Sequence, residues 1–102
     1  MSHPMTETVN SKIPFLNEVA LQFAESKGFT DAYVFKANVG KKYIKITRSC
    51  TQSSHGSVWC FIDDEGKIFK PASFSAPTKN FPRGTVEDFD NVKFVTDHIY
   101  GF

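Results

Sequence analysis

A chain of 102 residues with 40% apolar and 15% aromatic content has room for one packed core and none for a second domain. Its formal net charge of +1 points by itself to neither nucleic acid nor membrane. The charge is unevenly spread: residues 36–83 carry nine basic groups against Asp63, Asp64 and Glu65, whereas residues 1–35 and 84–102 are each net acidic.

Two cysteines, Cys50 and Cys60, are too few for a disulfide scaffold. A bridge between them is sterically open but not required. The chain shows no charged segment leading into an apolar one at its start and no apolar run near membrane-spanning length. A reducing, intracellular setting with free thiols is therefore expected.

In chain order, residues 1–10 (MSHPMTETVN) lack periodicity and read as a flexible N-terminal arm, leaving residues 11–102 as the domain. An amphipathic helix follows over about residues 13–27. Pro14 suits its first turn, Leu16, Val19, Ala20 and Phe23 recur at steps of three and four, and Gly28 supplies the C-terminal stop. One helix cannot bury its own apolar stripe, so a sheet must receive it.

From Asp31 the period changes to two. Residues 32–37 form a strand and Asn38-Val39-Gly40-Lys41 a turn. The next strand, Lys42–Ser49, places Ile44, Ile46 and Arg48 on one face and Tyr43, Lys45 and Thr47 on the other. A polar loop over residues 51–56 leads to the run SVWCFID (57–63), which reads as a central strand, and Asp63–Gly66 turns the chain into a fourth strand, Lys67–Lys70. Residues 85–90 are acidic. Asn91–Tyr100 alternates weakly, and we read it as an edge strand in preference to a short helix. The expected architecture is α+β: an N-terminal helix packed on a four- or five-stranded antiparallel meander.

The stretch Gly66–Gly84 (GKIFKPASFSAPTKNFPRG) is the unusual one. Pro71 ends the fourth strand, and Pro77 and Pro82 hold Ala76 and Phe81 extended, so the loop is stiffened. Phe74 and Phe81, spaced among Lys70, Lys79 and Arg83, either pin the loop to the sheet or face a partner; rings beside cations are how single-stranded nucleic acid is often held.

No motif dictates a chemistry. His3, His55 and His98 lack zinc-ligand spacing, and Cys60 lies mid-strand between aromatics where a thiol is ordinarily a small core residue. Asp63, Asp64 and Glu65 lack the rhythm of a calcium loop and read as turn formers. No glycine-rich phosphate loop is present. Neither an enzyme, a metal site nor a cofactor is expected. What remains is a binding surface built from Lys36, Lys45, Arg48, Lys70, Lys79 and Arg83, interleaved with Tyr43, Phe74 and Phe81. Lys41 and Lys42 are better explained as keeping a Phe-rich sheet soluble.

The run Val58-Trp59-Cys60-Phe61-Ile62-Asp63, a turn, then Gly66-x-Ile68-x-Lys70-Pro71-Ala72-x-Phe74-x-Ala76-Pro77, closing with Arg83-Gly84, resembles small proteins encoded by tailed bacteriophages. It covers residues 57–86, with Phe74 and Asn80 standing where those proteins often carry tryptophan and part of a lysine-histidine pair. The resemblance implies a viral origin and the cytoplasm of an infected bacterial host, and it implies no activity. Two functions of different class follow: a non-enzymatic accessory protein binding single-stranded nucleic acid through the basic, aromatic loop and outer sheet face, or a protein-interaction module, self-associating or directed at a host protein, with the Phe-rich loop as interface.

Overall fold

The computed structural model describes residues 3–29, 31–50, 56–78 and 81–102. Helix α1 (Thr6–Lys27) packs on an antiparallel sheet whose strands β1 (Tyr33–Val39), β2 (Ile44–Cys50), β3 (Gly56–Ile62), β4 (Lys67–Phe69) and β5 (Gly84–Thr85) lie side by side in sequence order. A 3-10 helix (Val86–Asp90) and a short helix α2 (Val92–Asp97) complete the layer that covers the sheet's inner face. The fold is α+β, with an N-terminal helix on a five-stranded meander.

Helix α1 starts well before the periodic stripe suggested. Pro14 lies inside it, exposed, and the carbonyl that proline leaves without a donor belongs to exposed Asn10, where water can satisfy it. The apolar stripe extends back through Ile13 to Val9, which is fully buried. Residues 6–10 of the expected arm are therefore helical. His3 is buried too: its Nδ1 accepts from the Met5 amide at 3.1 Å, so Nε2 carries the proton and donates to the Lys42 carbonyl at 2.8 Å. That contact staples the start of the chain to the β1–β2 turn.

The core is shared by α1, the inner face of the sheet and the C-terminal helices. Leu16, Val19 and Ala20 meet Phe35, Ile44, Ile46, Ile62 and Ile68 there. The register between β2 and β3 slips at one point: Ile46 faces Cys60 but Thr47 faces Val58, leaving Trp59 as the extra residue of a β-bulge. Strict alternation would put Trp59 on the outer face with Phe61. The bulge turns it inward, where its ring lies 4.6 Å from Phe35 and 4.9 Å from Phe102, and its Nε1 donates to the His98 carbonyl at 2.7 Å.

The C-terminal segment is helical, not the edge strand its weak alternation suggested. The Asn91 side chain accepts from the amides of Lys93 and Phe94, capping α2, and Val95 and Ile99 point into the core four residues apart. Upstream, Gly84 has φ 156°, and a Cβ there would stand 2.7 Å from the Asp88 carboxylate and 3.0 Å from the Phe94 ring, so only glycine fits the strand where it meets this corner.

Candidate nucleic-acid interface

The outer face of the sheet begins with the side chains that alternation sends away from α1: Lys36 and Asn38 on β1, Lys45, Thr47 and Ser49 on β2, and Phe61 on β3. Beyond β4 the proline-rich loop folds onto this face as a small closed hairpin. Pro71 bridges Pro77, the amides of Ala72 and Ser73 both donate to the Ala76 carbonyl at 2.9 and 3.1 Å, and Thr78 donates to the Lys70 carbonyl at 2.6 Å. Pro77 is buried and anchors the loop. The phenylalanines do not: Phe74, at the tip, is 63% exposed and Phe81 71% exposed. Pinning is therefore done by proline and backbone, which leaves the rings outward.

Shallow grooves join end to end through shared residues, three across this face and a fourth at its edge. The first lies over the β1–β2 turn, beside Lys41, Lys42 and Tyr43, and shares Asn38 and Lys45 with a central groove of about 400 Å³ that runs past Lys36 and Thr47 to Phe74. Phe74 and Gly56 pass the track on to a third groove along Ser57 and Pro71. Pro71 and Val58 then join it to a fourth, which turns off the outer face between Lys70 and the inner-layer residues Arg48, Trp59, Tyr100 and Phe102. Among the described residues six cationic side chains line these four grooves, and no Asp or Glu does. None of the six makes an ion pair among the described residues, where the acids that do pair are met by Lys12, Lys67 and Lys93. The ammonium of Lys45 stands 4.0 Å from the centroid of the Phe74 ring, a cation–π contact that holds the ring upright in mid-track.

The residues expected to form the patch thus separate. Lys36, Lys45 and Phe74 come together in the central groove, while Lys70 lines the fourth. Arg48 reaches the end of the track from the inner face: its guanidinium lies 4.6 Å over the Tyr33 ring and its Nη1 donates to the Ile99 carbonyl, so it is tied to the C-terminal segment while one side lines the fourth groove. Phe81 and Arg83 line none of these grooves; the Arg83 amide donates to the Ile68 carbonyl at 2.6 Å and carries the chain along the far edge of the sheet into β5. Lys79 lies outside the described residues, as does His55. Lys41 and Lys42, read from the sequence as solubility lysines, belong to the track. Their position in a short turn between Lys36 and Lys45 was the available signal, since a hairpin brings its two arms and its turn onto one surface.

Other chemistry is spoken for. Asp63 accepts from the amides of Glu65 and Lys67 at 3.0 and 2.8 Å, the work of a turn former. Both cysteines are free; burial holds the Cys60 thiol well above its ordinary pKa, which disfavours the thiolate a nucleophile needs. His98 Nδ1 is engaged with the Phe94 carbonyl at 2.9 Å.

Fold and surface define a small α+β domain with a helical inner layer and an outer sheet face whose central groove is lined by Lys36 and Lys45 and, among the described residues, by no Asp or Glu. By sequence the chain belongs to the Family of unknown function (DUF7717), matched over residues 3–99. No curated protein and no solved structure matches it. Among the described residues no helix is long and apolar enough to cross a membrane.

Proposed function

We propose that the chain is a non-enzymatic, phage-encoded accessory protein that binds single-stranded nucleic acid along the outer face of its sheet. The observation that carries this reading is the series of adjoining grooves lined by Lys36, Lys41, Lys42, Lys45 and Lys70 and, among the described residues, by no Asp or Glu, with the exposed Phe74 ring midway. Each phosphate met by a lysine releases its condensed counterion on binding. Lys36 and Lys45 meet phosphates on one side of Phe74, and Lys70 on the other. The ring stacks on an unpaired base with the face that Lys45 leaves open. Thr47, Ser49 and Asn38 offer hydroxyl and amide groups to sugar or base edges without selecting a sequence. A duplex fits this arrangement poorly, because its bases are already stacked and Phe74 has nothing to receive.

The test is a titration of the protein with a fluorescent single-stranded oligonucleotide over a range of salt concentrations. Log K against log salt should fall with a slope of roughly −3.5 if the five lysines meet phosphates, and a duplex of the same length should bind more weakly. Absence of binding at low salt removes the proposal.

A further inference from the structure

The fourth groove differs from the other three in where it leads and in what charge it holds. Its volume is about 230 Å³, and it crosses the sheet from Lys70 and Pro71, just past β4, over Val58 and Trp59 on β3, to Arg48 on β2. Tyr100 and Phe102 of the C-terminal segment complete its lining. Trp59 forms the floor: it is 1% exposed, its indole is fixed by the bond to the His98 carbonyl, and its ring lies 4.9 Å from that of Phe102. The groove therefore ends on packed aromatic rings of the inner layer.

Arg48 is half-buried at this end, and its guanidinium is held in place. Tyr33 lies under it at 4.6 Å and is itself braced edge-on by Tyr100 at 6.1 Å, while Nη1 donates to the Ile99 carbonyl. One of its five N–H donors is thus used among the described residues, and the others remain for a ligand. A cation drawn partly out of water is ordinarily met by an anion, because unpaired burial of charge costs free energy. Among the described residues the chain supplies none: no Asp or Glu lines the groove, and no carboxylate pairs with Arg48 or Lys70. Lys70 is exposed on the opposite side. A planar fork fixed by stacking and a mobile ammonium facing it are the two kinds of donor that hold phosphate oxygens.

We propose that this groove takes the terminal phosphate of a bound single strand, with Arg48 and Lys70 holding its oxygens and the exposed Tyr100 ring beside the last nucleotide. The inference rests on the nucleic-acid reading and adds to it a preference for phosphorylated strand ends. Two features select an end over the interior. A strand that follows the grooves past Phe74 meets the floor of Trp59 and Phe102 and has no continuation there. A terminal phosphate monoester also carries about two negative charges at neutral pH, against one for each phosphodiester inside a strand, and so matches the paired cations more fully.

The experiment measures binding of one internally labelled single-stranded oligonucleotide made in three forms: with a 5′-phosphate, with a 3′-phosphate, and with hydroxyls at both ends. At one fixed salt concentration, one of the phosphorylated forms should bind at least about tenfold more tightly than the hydroxyl form, the worth of one charge-assisted hydrogen bond. Lys70→Gln, at an exposed position, should abolish that ratio with thermal unfolding unchanged, and Arg48→Gln should abolish it too. Lys36→Gln, in the central groove, should weaken all three forms by the same factor and keep the ratio. Should Arg48→Gln fail to fold, Lys70→Gln still decides. Equal affinity for the three forms overturns the inference and leaves the nucleic-acid reading standing, as does a ratio that survives Lys70→Gln. Absence of binding by every form at low salt removes the nucleic-acid reading and this inference with it.

Discussion

The side chain of Asn17, on α1, grips the backbone of Phe35 on β1: the Phe35 amide donates to its Oδ1 at 2.7 Å, and its Nδ2 donates to the Phe35 carbonyl at 3.4 Å. Strand β1 is a sheet edge, and Phe35 is where its outward backbone groups would otherwise go without partners. One amide thus does for this residue what a sixth strand would do. Asn17→Leu should destabilise the domain by about 1–3 kcal/mol, the cost of leaving a part-buried donor and acceptor unmet. Chemical denaturation measures it, with Glu18→Ala, on the exposed face of the helix, as the near-neutral control. Equal midpoints for the two variants would show that the clamp contributes nothing.

The N-terminal staple makes a second prediction. His3 is the only buried polar residue in the described core, and both its ring nitrogens are engaged across 39 residues of sequence separation or with Met5. His3→Ala should cost about 1–3 kcal/mol by opening the Lys42 carbonyl and the Met5 amide together. It should also speed amide exchange in the first turns of α1 and at the β1–β2 turn. Unchanged exchange at both places would mean that the start of the chain is not fastened to the domain.

Cys60 predicts a pH dependence. Burial raises its pKa in the folded state above that of the unfolded chain, so on alkaline titration the unfolded form loses the proton first. The stabilisation is fully present below the unfolded thiol's pKa and is lost as pH rises from there through the folded value, at about 1.4 kcal/mol per pH unit between them. Cys60→Ala or Cys60→Val should flatten that alkaline fall in the unfolding midpoint. In the native protein at pH 8, a thiol reagent should modify half-buried Cys50 and spare Cys60. Early labelling of Cys60 would contradict its burial.

Phe74 separates binding from folding. Its ring is mostly solvent-exposed and its loop is closed by backbone hydrogen bonds and buried Pro77. Phe74→Ala should weaken oligonucleotide binding by about 1–3 kcal/mol while leaving thermal stability nearly unchanged. Replacing Lys36 and Lys45 together by glutamine should instead reduce the magnitude of the salt slope by about 1.4, because two phosphate contacts disappear. If Phe74→Ala lowers stability and leaves affinity alone, the ring packs the loop and does not stack on a base.

The order of helix before sheet, the turn at Asp63–Gly66 and the basic middle of the chain were legible in the residues themselves, because periodicity, turn chemistry and charge are local properties; the β1–β2 turn falls two residues later than Asn38–Lys41, because Asn38 and Val39 pair with Lys45 and Ile44. The sequence also grouped Lys36, Lys45 and Phe74, which line one groove, with Lys70, which lines another. The remainder depended on contacts between distant segments. Val9 and His3 could be read as an arm until Lys42 and the core were there to receive them. Asn91–Tyr100 could be read as a strand until the Asn91 cap and the burial of Val95 and Ile99 favoured a helix. Arg48 shares a face with Ile46 by alternation, and the Ile99 carbonyl holds its guanidinium on that inner side, at the rim of the fourth groove. Trp59 is the clearest case. Alternation fixes Phe61 outward and Cys60 inward, but whether the tryptophan between Val58 and Cys60 faces water or core turns on one unpaired residue in the β2–β3 register. That slip is favoured only once Phe35, Phe89, Phe102 and the His98 carbonyl, brought from four other parts of the chain, stand ready to bury the indole and accept its proton.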